Sequence, residues 1–231
     1  MRILGLIPAR GGSKGIPNKN SKLLGGKPLL QYTVEAAVKS KMLDLIIFSS
    51  EDDTLIHLAK GLGVSAPFKR PVHLASDEAG SLEVVQHAVR FMESQGENFD
   101  AVCLLQVTTP FRNVSAIDAA VSKFIKEGSD SLISVQKVPH QYNPHWVFEE
   151  DRGVLKIATG DSEIIKRRQE LPDSYIRDGA IYITKTEVLM NQNSFFGNSI
   201  SYLESNPDTF VNIDTDEDWD KAEQIVRTLN L

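Results

Sequence analysis

The chain has 231 residues and contains a single cysteine, which excludes an internal disulfide framework. That cysteine, Cys103, stands in the apolar run 101–105 and is expected to be a buried, unreactive thiol. Long apolar runs are also missing, because no stretch approaches the roughly 18 consecutive apolar residues of a membrane span. The apolar run after Met1 is too short for a signal peptide. These absences predict a cytoplasmic protein without membrane attachment.

Basic residues are outnumbered, since 25 Lys and Arg face 31 Asp and Glu for a net charge of −6. This acidic balance argues against nucleic-acid binding. The basic residues are nevertheless concentrated at the start of the chain, where residues 1–34 contain six of them and no acid. These six are Arg2, Arg10, Lys14, Lys19, Lys22 and Lys27. We therefore expect the first segment to bind an anion.

Strand-like and helix-like patterns alternate along most of the chain. Apolar runs typical of buried strands lie at 3–7, 45–48, 101–105, 131–135, 179–183 and 210–213. The alternation predicts an α/β fold with a mostly parallel central sheet flanked by helices, which binds ligands at the carboxyl ends of its strands. No second domain boundary is visible, so residues 1–231 are expected to form one domain. Asp214 or Thr215 is the expected cap of the last helix.

The pattern is interrupted between residues 137 and 169. This segment contains Pro139, Pro144, the alternating Trp146-Val147-Phe148 and a basic run that ends at Arg168. We expect it to leave the sheet. It carries more large apolar side chains than so small an excursion can bury, and a symmetric second copy would supply the missing surface.

The first predicted strand runs into a loop rich in glycine and cations. The loop reads Pro8-Ala9-Arg10-Gly11-Gly12-Ser13-Lys14-Gly15-Ile16-Pro17-Asn18-Lys19-Asn20. Its glycines let backbone N–H groups approach a ligand, and Arg10, Lys14 and Lys19 can neutralise a polyphosphate. It is not a Walker loop, because no Gly stands five residues before a Gly-Lys-Ser/Thr triplet. The alternative is a solvated basic surface loop.

Two other glycine patterns are weaker. Gly11-Gly12-Ser13-Lys14-Gly15 fits the nucleophile elbow of serine hydrolases, but Pro17 follows it and no later histidine stands at a clear strand end. Gly61-Leu62-Gly63 resembles a dinucleotide fingerprint, yet it follows a helix and is better explained as a helix stop. Neither pattern is taken to mark the functional site.

Candidate metal ligands are few. The five histidines show no metal-binding spacing. The acidic run 214–218 begins where a predicted strand meets a helix, and a carboxylate at Asp214 can bind magnesium beside phosphates. Asp216, Glu217 and Asp218 are interpreted as acids that stabilise the first helical turn.

Six segments together resemble the acylneuraminate cytidylyltransferase family, which includes related CMP-legionaminate and CMP-pseudaminate synthetases, and the likeness covers nearly the whole chain. The segments are the loop from Ile7 to Asn20, Arg70-Pro71 with Leu74-Ala75-Ser76-Asp77, Leu104-Leu105-Gln106-Val107-Thr108-Thr109-Pro110-Phe111-Arg112, Arg168-Gln169-Glu170-Leu171-Pro172, Asp178-Gly179-Ala180-Ile181-Tyr182-Ile183 and Asn212-Ile213-Asp214-Thr215. The resemblance implies a nucleotide-diphospho-sugar transferase-like fold and a homodimer joined by the protruding segment at approximately 137–169.

The resemblance also implies a reaction, in which the anomeric hydroxyl of a 3-deoxy-2-ulosonic acid attacks the α-phosphate of CTP and pyrophosphate leaves with magnesium. Arg10, Lys19 and Asp214 would be catalytic, and Asp214 would bind the metal. The nucleotide would be held by Ser13, Lys14, Asn20, Arg70, Ala79 and Ser81. The sugar would be held by Gln106, Arg168, Tyr182, Phe195 and Phe196, with Arg168 reaching across the dimer interface.

Two positions depart from the family pattern. Asn212 stands where many relatives have aspartate and offers a metal only a neutral oxygen. Asp178 stands where asparagine is usual, and because an acid would repel an anionic sugar, it is expected to meet a hydroxyl or pair with Arg177. The sugar stays open among N-acetylneuraminate, legionaminate, pseudaminate and related eight- or nine-carbon acids. The alternative function is a nucleotide-binding regulatory or scaffolding protein that has kept the fold without turnover.

Overall fold

The computed structural model describes residues 1–13 and 15–229. Its strands, in chain order, are β1 (Ile3–Pro8), β2 (Leu23–Leu24), β3 (Lys27–Pro28), β4 (Leu45–Ser49), β5 (Ala101–Leu104), β6 (Ser131–Lys137), β7 (Phe148–Asp151), β8 (Val154–Ile157), β9 (Tyr175–Lys185) and β10 (Ile200–Glu204). Its α-helices are α1 (Leu29–Lys39), α2 (Asp53–Gly61), α3 (Ser81–Ser94), α4 (Val114–Glu127), α5 (Thr186–Asn191) and α6 (Asp216–Leu229). None of the helices in these described ranges is long and apolar enough to cross a membrane.

Six strands form one central sheet in the order β10-β6-β9-β5-β1-β4. Strand β1 is parallel to β4 and β5, and β10 is parallel to β6. Only β9 runs against its neighbours in this sheet, since it pairs antiparallel with both β5 and β6. The prediction of an α/β fold with a mostly parallel sheet is therefore confirmed, and the carboxyl ends of five strands meet at one edge.

The apolar strands are buried on both faces because helices cover each side of the sheet. Side chains such as Ile3 and Cys103 point to the face covered by α1, α2, α4 and α6. Leu4 and Val102, each adjacent in sequence to one of these residues, point to the face covered by α3 and α5. Burial raises the pKa of the Cys103 thiol to about 12, so this cysteine is the unreactive group that its apolar run indicates.

The structure corrects the expected strand at 210–213. Val211 and Ile213 are buried as the apolar run suggests, but the backbone there forms no strand. Ile213 instead donates a single hydrogen bond, 2.8 Å long, to the Thr108 carbonyl, which ties this segment to the turn after β5. The edge strand next to β6 is β10. Its side chains alternate between buried and exposed, so it contains no continuous apolar run from which a strand could be predicted.

Thr215 caps the last helix, one of the two residues expected to do so. Its hydroxyl accepts the Asp218 N–H at 3.2 Å, and the Asp218 carboxylate accepts the Thr215 N–H at 2.8 Å. This reciprocal arrangement satisfies N–H groups that a helix start leaves without partners. The Asp218 carboxylate also accepts the Asp214 N–H, so the cap fixes the position of Asp214 just before the helix.

The segment expected to leave the sheet does so between β6 and β9. Lys137 still pairs with Tyr175, so the excursion comprises residues 138–174. Its centre is the β7–β8 hairpin, whose two-residue turn is formed by Arg152 and Gly153, both with positive φ, as a tight hairpin turn requires.

Candidate active site

A cavity of about 300 Å³ opens beside the carboxyl ends of β1 and β5. Its walls are the glycine-rich loop after β1, part of the segment between α2 and α3, the turn after β5 and Asp214. Nine of the predicted site residues line it, namely Arg10, Ser13, Lys19, Asn20, Arg70, Ala79, Ser81, Gln106 and Asp214. The strand edge thus brings together residues that are far apart in the sequence. Lys14, also predicted there, lies outside the described residues.

The glycine-rich loop is fixed at both ends by side-chain hydrogen bonds. The Asn20 amide donates to the Arg10 carbonyl at 2.9 Å and closes the loop on itself. The Gly11 N–H donates to the Glu51 carboxylate at 2.7 Å. Held in this way, the described residues at the two ends of the loop, Arg10 and Lys19 among them, can meet a ligand without first being ordered.

Gly15 is required where the loop meets the start of α6. A Cβ atom at this position would overlap the carbonyl oxygen of Asp214. The absence of a side chain therefore allows the loop to lie directly against the residue that was predicted to bind metal.

Lys19 and Asp214 form an ion pair at the cavity wall. The Lys19 side chain is buried, and its Nζ donates to the Ile213 carbonyl at 2.5 Å and to Asp214 Oδ1 at 3.0 Å. The other carboxylate oxygen, Asp214 Oδ2, accepts the Asn212 side-chain N–H at 2.7 Å. Both oxygens of an otherwise exposed carboxylate are thus oriented by nitrogen donors, one of them charged.

Arg70 lines the wall of the cavity opposite the glycines of the loop and is only 5% exposed. Its Nη2 donates to the Ala9 carbonyl at 2.7 Å and to the Glu51 carboxylate at 2.8 Å. Glu51 therefore holds the loop through Gly11 and holds the opposite wall through Arg70. This bridge fixes the width of the cavity between its two principal walls.

Arg10 faces Asp77 across the mouth of the cavity. Its Nη1 lies 2.8 Å from Asp77 Oδ1, and both side chains are more than a third exposed. Exposed ion pairs of this kind contribute only about 0–1 kcal/mol. A polyphosphate can therefore compete for the Arg10 guanidinium at little expense to stability.

The buried arginine that organises the turn after β5 was missed as a functional residue, although it belongs to a recognised segment. Arg112 donates to the carbonyl of Gln106, to the Thr109 hydroxyl at 2.6 Å and to the Thr33 hydroxyl at 2.9 Å. Burial lowers the pKa of Arg112 to about 10, so the guanidinium stays charged at neutral pH. A cation so close to a strand end in the sequence is the signal that could have singled it out.

Asp178 meets a hydroxyl, one of the two expectations for it. Its carboxylate accepts a short hydrogen bond from the Ser134 hydroxyl, whereas Arg177 is exposed and makes no ion pair with it. Asp178 is 5% exposed and lies behind the cavity wall. It therefore acts within the protein interior and does not face a ligand directly.

The other residues that were predicted to bind the sugar do not line the cavity. Tyr182 is buried and packs against Phe195, with ring centroids 5.9 Å apart, and Phe196 is partly buried against the same core cluster. Arg168 is exposed in a short helical turn of the excursion. The proposed sugar contacts of these four residues stay predictions.

No group of three or more His, Cys, Asp or Glu side chains suited to a metal lies within residues 1–13 and 15–229. Two carboxylates line the cavity, Asp77, which is paired with Arg10, and Asp214, beside which the Asn212 amide lies. One carboxylate can still hold a divalent cation when phosphate oxygens and water complete its coordination.

Similarity to known proteins extends over nearly the whole chain. Residues 4–229 match the family described as Cytidylyltransferase. Pseudaminic acid cytidylyltransferase of Campylobacter jejuni is 32% identical over 222 residues, which cover 96% of this chain and 95% of that protein. CMP-N,N'-diacetyllegionaminic acid synthase of Legionella pneumophila is 32% identical over 230 residues, which cover 98% and 97% of the two chains.

A solved structure shares the fold along the full length. It is that of a CMP:2-keto-3-deoxy-manno-octonic acid synthetase complexed with CTP, which matches with a TM-score of 0.75 at 16% identity and covers 100% of both chains. This match shows the fold, whereas the family resemblance inferred from six segments is confirmed by the match of residues 4–229 and by the relatives that are 32% identical.

Proposed function

Because the chain belongs to the cytidylyltransferase family, we propose that it couples CTP to a sialic-acid-like nonulosonic acid. The anomeric hydroxyl of a 3-deoxy-2-ulosonic acid attacks the α-phosphate of CTP, a P–O bond to the sugar forms, and the bond to pyrophosphate breaks. The products are the CMP-sugar and pyrophosphate. The observation that carries this proposal is the closed, cation-bearing loop held against Asp214 at the carboxyl end of β1.

The loop would hold the triphosphate. Arg10 and Lys19 supply positive charge, Ser13 supplies a hydroxyl, and Lys14 belongs to the same proposed set. Charge grows on the leaving pyrophosphate during the reaction, so fixed cations stabilise the transition state more than the ground state. Lys19 suits this role because its buried Nζ is already held in place by two oxygen partners.

The opposite wall would hold the cytidine. Arg70, Ala79 and Ser81 line the cavity there, and Asn20, at the end of the loop, completes the proposed set. Arg70 contributes through its bridge to Glu51 and Ala9, which sets the distance between the wall and the triphosphate loop. Defined spacing of this kind lets a site select a pyrimidine nucleotide and orient its α-phosphate.

We propose magnesium as the cofactor, with Asp214 as its protein ligand. An oriented carboxylate beside a polyphosphate site fits the preference of this hard cation for oxygen. When bound, the cation would balance phosphate charge. Because the other carboxylate of the cavity, Asp77, is paired with Arg10, we expect magnesium to bind chiefly as its complex with CTP. Excess chelator should abolish turnover, and unchanged activity in chelator would contradict this assignment.

The sugar would lie beside Gln106, with Tyr182, Phe195 and Phe196 behind it and Arg168 provided by a second subunit. In this proposal residues 1–231 are a single domain, and the excursion at 138–174 joins a homodimer. The exposed apolar side chains of its hairpin support this role. We place the enzyme in the cytoplasm, where CTP is available.

The test is pyrophosphate release from CTP with a panel of sugars: N-acetylneuraminate, legionaminate, pseudaminate and an eight-carbon ulosonic acid. We expect release that depends on one of these sugars and that falls when UTP replaces CTP. Binding of CTP without release for any sugar would favour the alternative of a regulatory nucleotide-binding protein. The Lys19–Asp214 pair beside the loop favours turnover, because a pure binder has no need of a metal carboxylate there.

A further inference from the structure

A cluster of buried polar side chains lies directly behind Gln106, outside the cavity itself. Its members are Thr109, Arg112, Ser134 and Asp178, each at most 9% exposed. They come from the turn after β5, from β6 and from β9. The cluster contains one cation and one carboxylate, and the charge of Asp178 favours the charged form of Arg112.

Asp178 and Ser134 fix an irregular part of the sheet. The β6–β9 pairing shifts register between Ile133 and Val135, so ordinary ladder hydrogen bonds are interrupted there. Side chains replace them: Asp178 Oδ1 accepts the Ala180 N–H at 2.9 Å and the Ser134 hydroxyl, and that hydroxyl accepts the Ile181 N–H at 2.7 Å.

Between these bonded residues stands Gly179, which lies against the side chain of Gln106. Its φ of +79° is a conformation that favours glycine, and a Cβ atom there would be 2.9 Å from Gln106 Oε1. The location of Gly179 therefore determines how far the Gln106 amide can withdraw from the cavity.

Arg112 holds Gln106 from the other side. Its Nη2 donates to the Gln106 carbonyl and to the Thr109 hydroxyl, so the backbone of the turn is fixed by a buried cation. With the backbone fixed by Arg112, the remaining freedom of Gln106 is that of its side chain, and Gly179 limits it.

We propose that Asp178 is a positioning residue for sugar recognition, acting with Ser134 to hold Gly179 against the Gln106 amide and so keep that amide at the cavity wall. This inference rests on the proposed function, in which Gln106 contacts the sugar. It explains why a carboxylate can stand near a site for an anionic sugar: Asp178 is used for its acceptor oxygen, inside the protein.

The test compares Asp178→Ala and Ser134→Ala with the wild type in steady-state kinetics for both substrates. We expect the KM for the sugar to rise about tenfold or more, since small displacements of a contact group have effects of this size, while the KM for CTP stays within about twofold. Asp178→Asn keeps the acceptor oxygen and should restore near-normal KM. Ser201→Ala, which removes a buried hydroxyl from β10, is the matched control and should change neither constant.

A second readout does not need turnover. In ¹⁵N-edited NMR the Gln106 side-chain amide should shift in Asp178→Ala and in Ser134→Ala, and should stay in place in Asp178→Asn and Ser201→Ala. Equal rises in both KM values, or an unshifted Gln106 resonance in folded Ser134→Ala, would overturn the positioning role. Wild type that releases no pyrophosphate with any sugar would instead reject the proposed function, and the NMR comparison would still decide where Asp178 acts.

Discussion

The cavity edge and the excursion invert the usual distribution of polar and apolar side chains. At the cavity, the charged Lys19 and Arg70 are 7% and 5% exposed, and each is held by oxygen partners. In the excursion, Tyr142, Val154 and Leu155 are 65%, 61% and 64% exposed. One region has buried its charges with their partners in place, and the other has left its apolar groups uncovered.

This difference in burial indicates which region needs a second chain to cover its side chains. Buried charges are tolerated only when partners compensate their desolvation, and Lys19 and Arg70 find such partners within their own chain. Exposed apolar side chains on a small hairpin lose the stabilisation that burial would give. The comparison therefore predicts that the loop variants act within a subunit and that excursion variants act between subunits.

The largest effect is expected at the loop cations. Arg10→Ala and Lys19→Ala should each lower turnover on the order of a hundredfold or more, because both would balance the charge that grows on pyrophosphate. Pyrophosphate release measures the loss. Lys27→Ala, which removes a partly exposed cation of the same basic segment that is paired with Glu35, should change turnover little.

The Tm of each variant must be measured together with its turnover, since Lys19 is buried and Arg10 is partly exposed. Arg10→Ala should keep the wild-type Tm, so its loss of turnover would report chemistry alone. Near-normal turnover in either purified variant would contradict the assignment of this loop to the triphosphate.

The next prediction tests whether the excursion completes a neighbouring site. Inactive Arg168→Ala and inactive Lys19→Ala chains are mixed after dissociation and reassociation. If Arg168 acts across the interface, each mixed dimer regains one of its two sites, because that site combines the intact Lys19 of one chain with the intact Arg168 of the other. Pyrophosphate release should therefore return. Proven mixed dimers without recovered activity would show that Arg168 serves its own subunit or none.

Much of this architecture was predictable from local patterns. The apolar runs at 3–7 and 101–105 form strands buried on both faces, and the cationic loop lies at a strand end as expected. What escaped prediction depends on distant partners. Arg112 meets Thr33 across 79 positions and Ser134 meets Asp178 across 44, and no spacing rule connects residues so far apart.

Strand β10, at one edge of the sheet, illustrates a second limit of prediction from the sequence. The run at 210–213 is more apolar than β10, yet it is β10 that joins the sheet. Burial of Val211 and Ile213 is achieved by a loop tied to Thr108, so apolar character predicts where these residues lie but not their backbone geometry. Edge strands are half-exposed and short, and their pattern is correspondingly weak.

A smaller effect on KM is expected at Phe195. This aromatic side chain is partly buried, so it is neither a buried charge like those of the cavity nor an exposed apolar group like those of the excursion. Phe195→Ala should raise the KM for an acylated sugar several-fold and leave the KM for CTP unchanged if the ring contacts the acyl group. Phe91→Ala, which removes an aromatic ring from the same core cluster, is the packing control. Equal changes for both substrates would assign Phe195 to packing.

The smallest expected effect is on the Tm, and it concerns the cap at the start of α6, next to Asp214. Burial alone would raise the pKa of Asp218, but hydrogen bonds from the N–H groups of Asp214 and Thr215 and from the Thr215 hydroxyl hold that pKa below its ordinary value. A lowered folded-state pKa means that the stabilisation is present above the unfolded value, near 4, and is lost as the pH falls through the folded value.

Asp218→Asn should therefore have a slightly lower Tm than the wild type at pH 7, and the two Tm values should converge below about pH 4. Asp220→Asn, on the exposed side of the same helix, should show no such convergence. A Tm difference for Asp218→Asn that persists unchanged into acid would show that the carboxylate's charge does not hold this turn.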